Sequence, residues 1–147
     1  LAAMLDKDET LVLVGVDAAL QKRLPHNIIG IKRTENIRQL AELYAAADVF
    51  VNPTWQDNYP TVNLEAIACG TPVVTYRTGG SIEAVTEHTG FVVEQGDVTG
   101  VLEAVRKIKK AGKTSYQQPC RDYALAHFNK EERYADYLRL YDELIRK

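Results

Sequence analysis

Five short apolar runs punctuate the first 94 residues, and the stretches between them have the spacing of helices. The runs are TLVLVG (10–15), NIIGI (27–31), DVFVN (48–52), TPVVTY (71–76) and GFVVE (90–94). Each is short, rich in β-branched residues and bounded by Gly, Pro, Asn or Asp, the pattern of strands buried on both faces. Strands separated by helix-length segments cannot pair as hairpins and need crossovers, so the alternation predicts a doubly wound parallel α/β sheet. DAALQKRL (17–24) has helical character, with Pro25 ending it. IRQLAELYAAA (37–47) sets Ile37, Leu40, Ala41, Tyr44 and Ala47 on one helical face. A third helix is predicted over 60–69 with Pro60 first, and a fourth from SIEAVTE with Ser81 as its N-cap.

After Asp97 the strands stop and three helices are predicted. The first carries a stripe of Val101, Leu102, Val105 and Ile108, and the second covers about 115–127. The third starts at Asn129 with Glu132 as a capping-box partner, and places Tyr134, Leu138, Tyr141 and Ile145 in a core-facing stripe. GKTSYQQP (112–119) is the only linker-like stretch, too short to divide the chain into domains. The opening LAAMLDKDE reads as the end of an amphipathic helix that starts before the sequence, which makes the whole a piece of a longer protein.

Composition narrows the function. With 147 residues, 46% of them apolar and a net charge of −2, the chain is sized for one globular domain and lacks the basic excess of a nucleic-acid binder. No apolar run approaches membrane-spanning length and no signal peptide opens the chain, which points to the cytoplasm. Cys69 and Cys120 are read as two free thiols of a reducing compartment, and scattered His26, His88 and His127 give no metal-ligand spacing.

In doubly wound sheets, ligands bind beyond the carboxyl ends of the strands. Of the loops there, WQDNYPTVNLEA (55–66) is the most informative. A helix beginning at Pro60 leaves the N–H groups of Thr61, Val62 and Asn63 unpartnered, and these with the helix dipole favour a phosphate. Glu65 lies one turn on, on the same face, where its carboxylate can accept from a vicinal diol such as ribose. Asp57 precedes the helix and can meet the hydroxyls of a second sugar. Asp57 and Asn58 equally suit an Asx turn, and Glu65 equally suits a solvent-facing helix position.

Residues 43–83, LYAAADVFVNPTWQDNYPTVNLEAIACGTPVVTYRTGGSIE, resemble the donor-binding domain of retaining GT-B glycosyltransferases. LYxxADVFVxP, acid-x7-Glu, LEAxACGTPVV and a GG turn followed by Glu83 match in order and spacing, and GxVVExGD continues the likeness. The resemblance implies a Rossmann-like C-terminal GT-B half that binds a nucleoside-diphosphate sugar, of UDP or GDP, without a metal or other cofactor. It implies that Glu65 binds the ribose and that Asp57, shorter than the usual glutamate, is the catalytic-site carboxylate at the donor sugar. Asn58, Tyr59, Pro60, Thr61 and Val62 replace the glycine-rich loop that meets the distal phosphate, and Gly30, Ile31, Lys32 and Arg33 match the loop lining the base. Arg77 lies at the pocket mouth, either near a ligand or as an ordinary surface residue. The DNYPT variant resembles a subgroup tied to bacterial surface-polysaccharide assembly.

The resemblance also implies what lies outside these residues: an N-terminal acceptor domain, a cationic Arg/Lys clamp and the first, central strand of the sheet. In the family order 3-2-1-4-5-6, the five strands here are 2 to 6, and the unpaired edges call for the sheet to close up or for another segment to fill them. The expected role is sugar transfer with retained configuration to a glycan or lipid-linked acceptor, with peripheral attachment to the inner membrane face open to the intact protein. Alternatives are a non-catalytic nucleotide-sugar-binding or assembly module, a sugar-epimerising hydrolase, and a receiver-like domain. The last would need an acidic pair after the first strand, where only Asp17 stands.

Overall fold

The computed structural model describes residues 1–146. It has five parallel strands: β1 (Leu11–Val14), β2 (Ile28–Ile31), β3 (Phe50–Asn52), β4 (Val73–Tyr76) and β5 (Gly90–Val93). The helices are α1 (Ala18–Gln21), α2 (Ile37–Ala46), α3 (Thr61–Ala68), α4 (Val98–Ala111), α5 (Thr114–His127) and α6 (Lys130–Ile145). Every strand is followed by a helix or a 3-10 turn, as the alternation of apolar runs requires.

The strands form two parallel sheets, β2-β1 and β3-β4-β5. This is the expected order with a break at its centre: β1 and β3 do not pair, and the sheet has not closed up. All four residues of β4 are buried, with α4 on one face and α3 with α5 on the other. One cluster joins Tyr44, Ala66, Ile67, Val73, Ala84, Cys120 and Ala124, and the other joins Val74, Tyr76, Val101, Ala104 and Ile108. Both cysteines are free, Cys120 fully buried.

Several local expectations are corrected. The N-terminal stretch is a single 3-10 turn, Ala2–Met4, followed by a second turn over residues 6–9, and not the end of a helix. So short a segment cannot offset the cost of helix nucleation. It is tied to α4 instead, by Asp6 to Arg106 (3.1 Å) and Asp8 to Lys109 (2.7 Å), the latter pair lowering the Asp8 pKa. GKTSYQQP is mostly the first turns of α5, which tolerates Pro119 within it. Lys113, read as linker, donates to the carbonyls of Ala45 and Ala47, capping the end of α2, and its pKa is lowered by burial. Ile37 is exposed although it shares the helical face of buried Tyr44. The N-cap Asn129 accepts from the amide of Glu131. The α6 stripe is unburied: Tyr134, Leu138, Tyr141 and Ile145 are all exposed, and α6 contributes no buried residue.

Candidate functional site

The loop between β3 and α3 stands at the carboxyl end of the three-stranded sheet. Pro60, the expected first helical residue, is instead the N-cap of α3, which begins one position later at Thr61, and Pro60 is itself buried. Of the three amides expected to be free, that of Asn63 donates to the Pro60 carbonyl at 3.1 Å. Among the described residues no acceptor takes the N–H of Thr61 or Val62, and both residues are exposed. Two donors at the positive end of a helix dipole are therefore left without a described protein acceptor.

Glu65 follows on the same face and is exposed, not turned into the core. Its Oε2 accepts from the Tyr44 hydroxyl at 3.2 Å, which steers the carboxylate while leaving its second oxygen unclaimed. Burial of Tyr44, reinforced by the Glu65 charge, pushes the phenol pKa well up, so Tyr44 stays a donor. Asp57 forms the Asx turn that its sequence permitted: its Oδ1 accepts from the Tyr59 amide at 3.1 Å. Asn58 and Tyr59 are exposed, and burial, then Glu83, raises the Tyr59 pKa.

What holds this loop was not legible in the sequence. Asn63 is completely buried one turn into α3. Its Nδ2 donates to the Ser81 carbonyl (3.1 Å) and hydroxyl (3.3 Å), while its Oδ1 accepts from Asn52 Nδ2 (2.9 Å). Thr75 completes the set, 2.6 Å from the Ser81 hydroxyl and donating to the Asn52 carbonyl at 2.9 Å. Ser81 is thus an interior bridge and not a helix N-cap; the segment after β4 is a 3-10 turn, Gly79–Ile82. Thr78 Oγ1 donates to the Thr54 carbonyl at 3.1 Å. A satisfied buried network of this kind fixes geometry that apolar packing alone leaves loose.

The GG turn has a second role besides chain reversal. A Cβ on Gly79 would lie 2.1 Å from the Asp57 carbonyl oxygen, and one on Gly80 would lie 2.0 Å from that of Asn58. The turn therefore backs directly onto the 57–58 backbone, and only glycine allows the approach. Glu83 contributes its amide to the Gly80 carbonyl at 3.2 Å.

Gly30 and Ile31 lie in β2, paired with Leu13 and Val14, and Gln21 Nε2 donates to the Gly30 carbonyl at 3.1 Å. Lys32 and Arg33 follow in an exposed loop. These four belong to the two-stranded sheet, whereas residues 57–65 belong to the three-stranded one; no hydrogen bond described joins the two groups. Arg77 Nε donates to Glu94 Oε1 at 2.8 Å on the surface. Among the described residues, no group of three or more His, Cys, Asp or Glu side chains is placed to hold a metal ion. Nor is any helix long and apolar enough to cross a membrane.

A parallel α/β sheet with its polar loops gathered at the strand ends is the architecture of the GT-B nucleotide-binding half. Solved structures share it. Over 86% of this chain and 33% of theirs, sucrose-phosphate synthase from Thermosynechococcus elongatus superposes with a TM-score of 0.74 at 28% identity. Anabaena Alr3699/HepE, solved in complex with UDP-glucose, superposes with a TM-score of 0.66 at 24% identity, over 82% of this chain and 35% of that one. The family model described as "Glycosyl transferases group 1" matches residues 1–110, and the chain belongs to that family. Among curated relatives, the capsular polysaccharide biosynthesis glycosyltransferase CapM of Staphylococcus aureus is 34% identical over 83 residues, covering 56% of this chain and 21% of CapM. The chain spans about a fifth of the length of such relatives.

Proposed function

We propose that the chain is the donor-binding domain of a retaining glycosyltransferase, the C-terminal half of a longer two-domain enzyme. The observation that most supports this reading is the trio on α3: two unclaimed amides at Thr61 and Val62, with the exposed Glu65 carboxylate on the same face. The amides would receive the distal phosphate of a nucleoside diphosphate, an interaction of about 0.3–2 kcal/mol from the dipole alone. Glu65, oriented by Tyr44, would accept from the ribose hydroxyls. Asp57 keeps one oxygen outside its Asx turn for the donor sugar, and Gly30, Ile31, Lys32 and Arg33 would line the base.

In the reaction, the bond from the anomeric carbon to the diphosphate breaks, and one to an acceptor hydroxyl forms with configuration retained. The nucleoside diphosphate departs with the electron pair and takes up the proton released by the acceptor hydroxyl. Amides already aimed at the departing phosphate stabilise its growing charge without reorganising, and no metal is called for if a cationic pair elsewhere in the enzyme shares the task. The UDP-glucose bound by a protein of the same fold favours UDP over GDP as the nucleotide. The name of the CapM relative favours a role in bacterial surface-polysaccharide synthesis, in the cytoplasm or at the inner face of the membrane.

Calorimetric titration of UDP, GDP and their glucose conjugates into the wild type and Glu65→Ala tests the reading. Saturable binding that weakens about tenfold or more in the variant, a loss of about 1.4 kcal/mol, is the expected result. Equal affinity in both proteins would remove the ribose assignment. The 147-residue chain alone should show no turnover of donor, because the reading assigns the acceptor domain and the cationic clamp to segments outside these residues.

A further inference from the structure

Beyond the Asp57 loop lies a cleft of about 600 Å³ lined by Trp55, Gln56, Asp57, Asn58, Arg77, Thr78, Gly79 and Gln95. Glu65, Thr61 and Val62 do not line it, so it extends from Asp57 away from the proposed nucleotide position. We propose that this cleft is a second carbohydrate subsite, with Trp55 as its platform, which holds a neutral pyranose unit of the glycan acceptor beside the donor sugar. The inference deepens the donor-domain reading and rests on it for the position of the donor.

Three observations carry it. Trp55 is 66% exposed, although an indole is among the side chains that gain most from leaving water. It is also held in place: its carbonyl accepts from Gln95 Nε2 at 2.9 Å, and its ring meets Tyr76 edge-on at 6.3 Å. On a further side Gly96 leaves the ring free of a side chain: a Cβ there would stand 3.5 Å from Trp55 Cη2, an ordinary van der Waals distance. An exposed ring in a fixed position offers a flat apolar face at little ordering cost, which suits the C–H face of a sugar ring.

The rest of the lining supplies what the rim of a sugar ring needs. Gln56, Asp57, Asn58, Thr78 and Gln95 give amide, carboxylate and hydroxyl partners for its hydroxyls. Charge decides against an anionic occupant. The ionisable groups of the lining are Asp57 and Arg77, and Arg77 is already paired with Glu94 at 2.8 Å. With Glu94 counted, negative charge exceeds positive, so a phosphate gains nothing here while an uncharged polyol loses nothing. The same pairing gives Arg77 a role at the cleft: its guanidinium forms part of the wall, held by Glu94.

Trp55 is the only tryptophan in the sequence, so its emission reports on this cleft alone. Cellobiose and maltose, titrated to high millimolar concentration with and without saturating UDP, should shift the emission to the blue as the ring leaves water. Saturation-transfer NMR on the same disaccharides should weaken about tenfold in Trp55→Ala and less in Trp55→Phe, which keeps a ring. An emission unmoved by either sugar, or transfer equal in wild type and Trp55→Ala, overturns the subsite. Calorimetry with UDP on the same samples separates the two readings: UDP heat without any sugar response sinks the subsite alone. A sugar response without UDP heat supports the subsite and counts against the donor assignment.

Discussion

The strands β1 and β4 come from runs of the same kind, TLVLV and TPVVTY, yet they end in opposite surroundings. Every residue of β4 is buried between two helical layers. In β1 the burial alternates, and Val12 and Val14 are 43% and 47% exposed. The same division runs through the chain: β2 leaves Ile29 exposed and α6 buries nothing, while α3, α4 and α5 close over β3-β4-β5. An apolar run states that a segment is a strand; how far it is buried depends on what flanks it. Here the fully covered half also holds the polar network behind the Asp57 loop, so rigidity and candidate chemistry coincide.

The contrast can be broken most readily at the core. Ile67→Ala, in the covered half, should cost about 2–5 kcal/mol in urea unfolding. Val14→Ala in the uncovered strand should cost about 0.5 kcal/mol or less, and equal losses would erase the distinction. Asn63→Ala comes next, at about 2–3 kcal/mol, because Asn52 and Ser81 each lose a buried partner. Gly79→Ala should cost about 1–3 kcal/mol, since its methyl group must displace the Asp57 carbonyl, and it should weaken UDP binding in the same measurement.

The smallest effect is a pH dependence. Burial pushes the Cys120 thiol up from about 9 to about 12. Between those values the folded chain keeps a proton that the unfolded chain has lost, so stability falls as pH rises above about 9 and is unaffected below it. Unfolding midpoints at pH 7, 9 and 10 should fall less steeply in Cys120→Ala than in the wild type. Identical slopes would mean that the thiol is not sheltered.

The alternation of strands and helices and the helix that follows Pro60 were legible because both follow from local rules, apolar runs and helical spacing, whereas the strand order came from the family resemblance. Glu65 was legible for the same reason, since helical spacing fixes its face. Ser81 was misread, and the contact behind the GG turn went unread, because their partners, Asn63 and the Asp57–Asn58 backbone, are 18 and more residues distant in sequence. Periodicity likewise placed Tyr134, Leu138, Tyr141 and Ile145 on one face of α6 but is silent on whether anything covers that face. Trp55 carried a signal that was available: a lone tryptophan among polar residues in a strand-end loop.

The account turns on the two unclaimed amides of α3, and backbone amide NMR shifts during a UDP titration test them directly. The N–H resonances of Thr61 and Val62 should move furthest, in a saturable manner, and in Glu65→Ala should need about ten times more UDP to move as far. Saturable shifts confined to other residues, with Thr61 and Val62 unmoved, would contradict it.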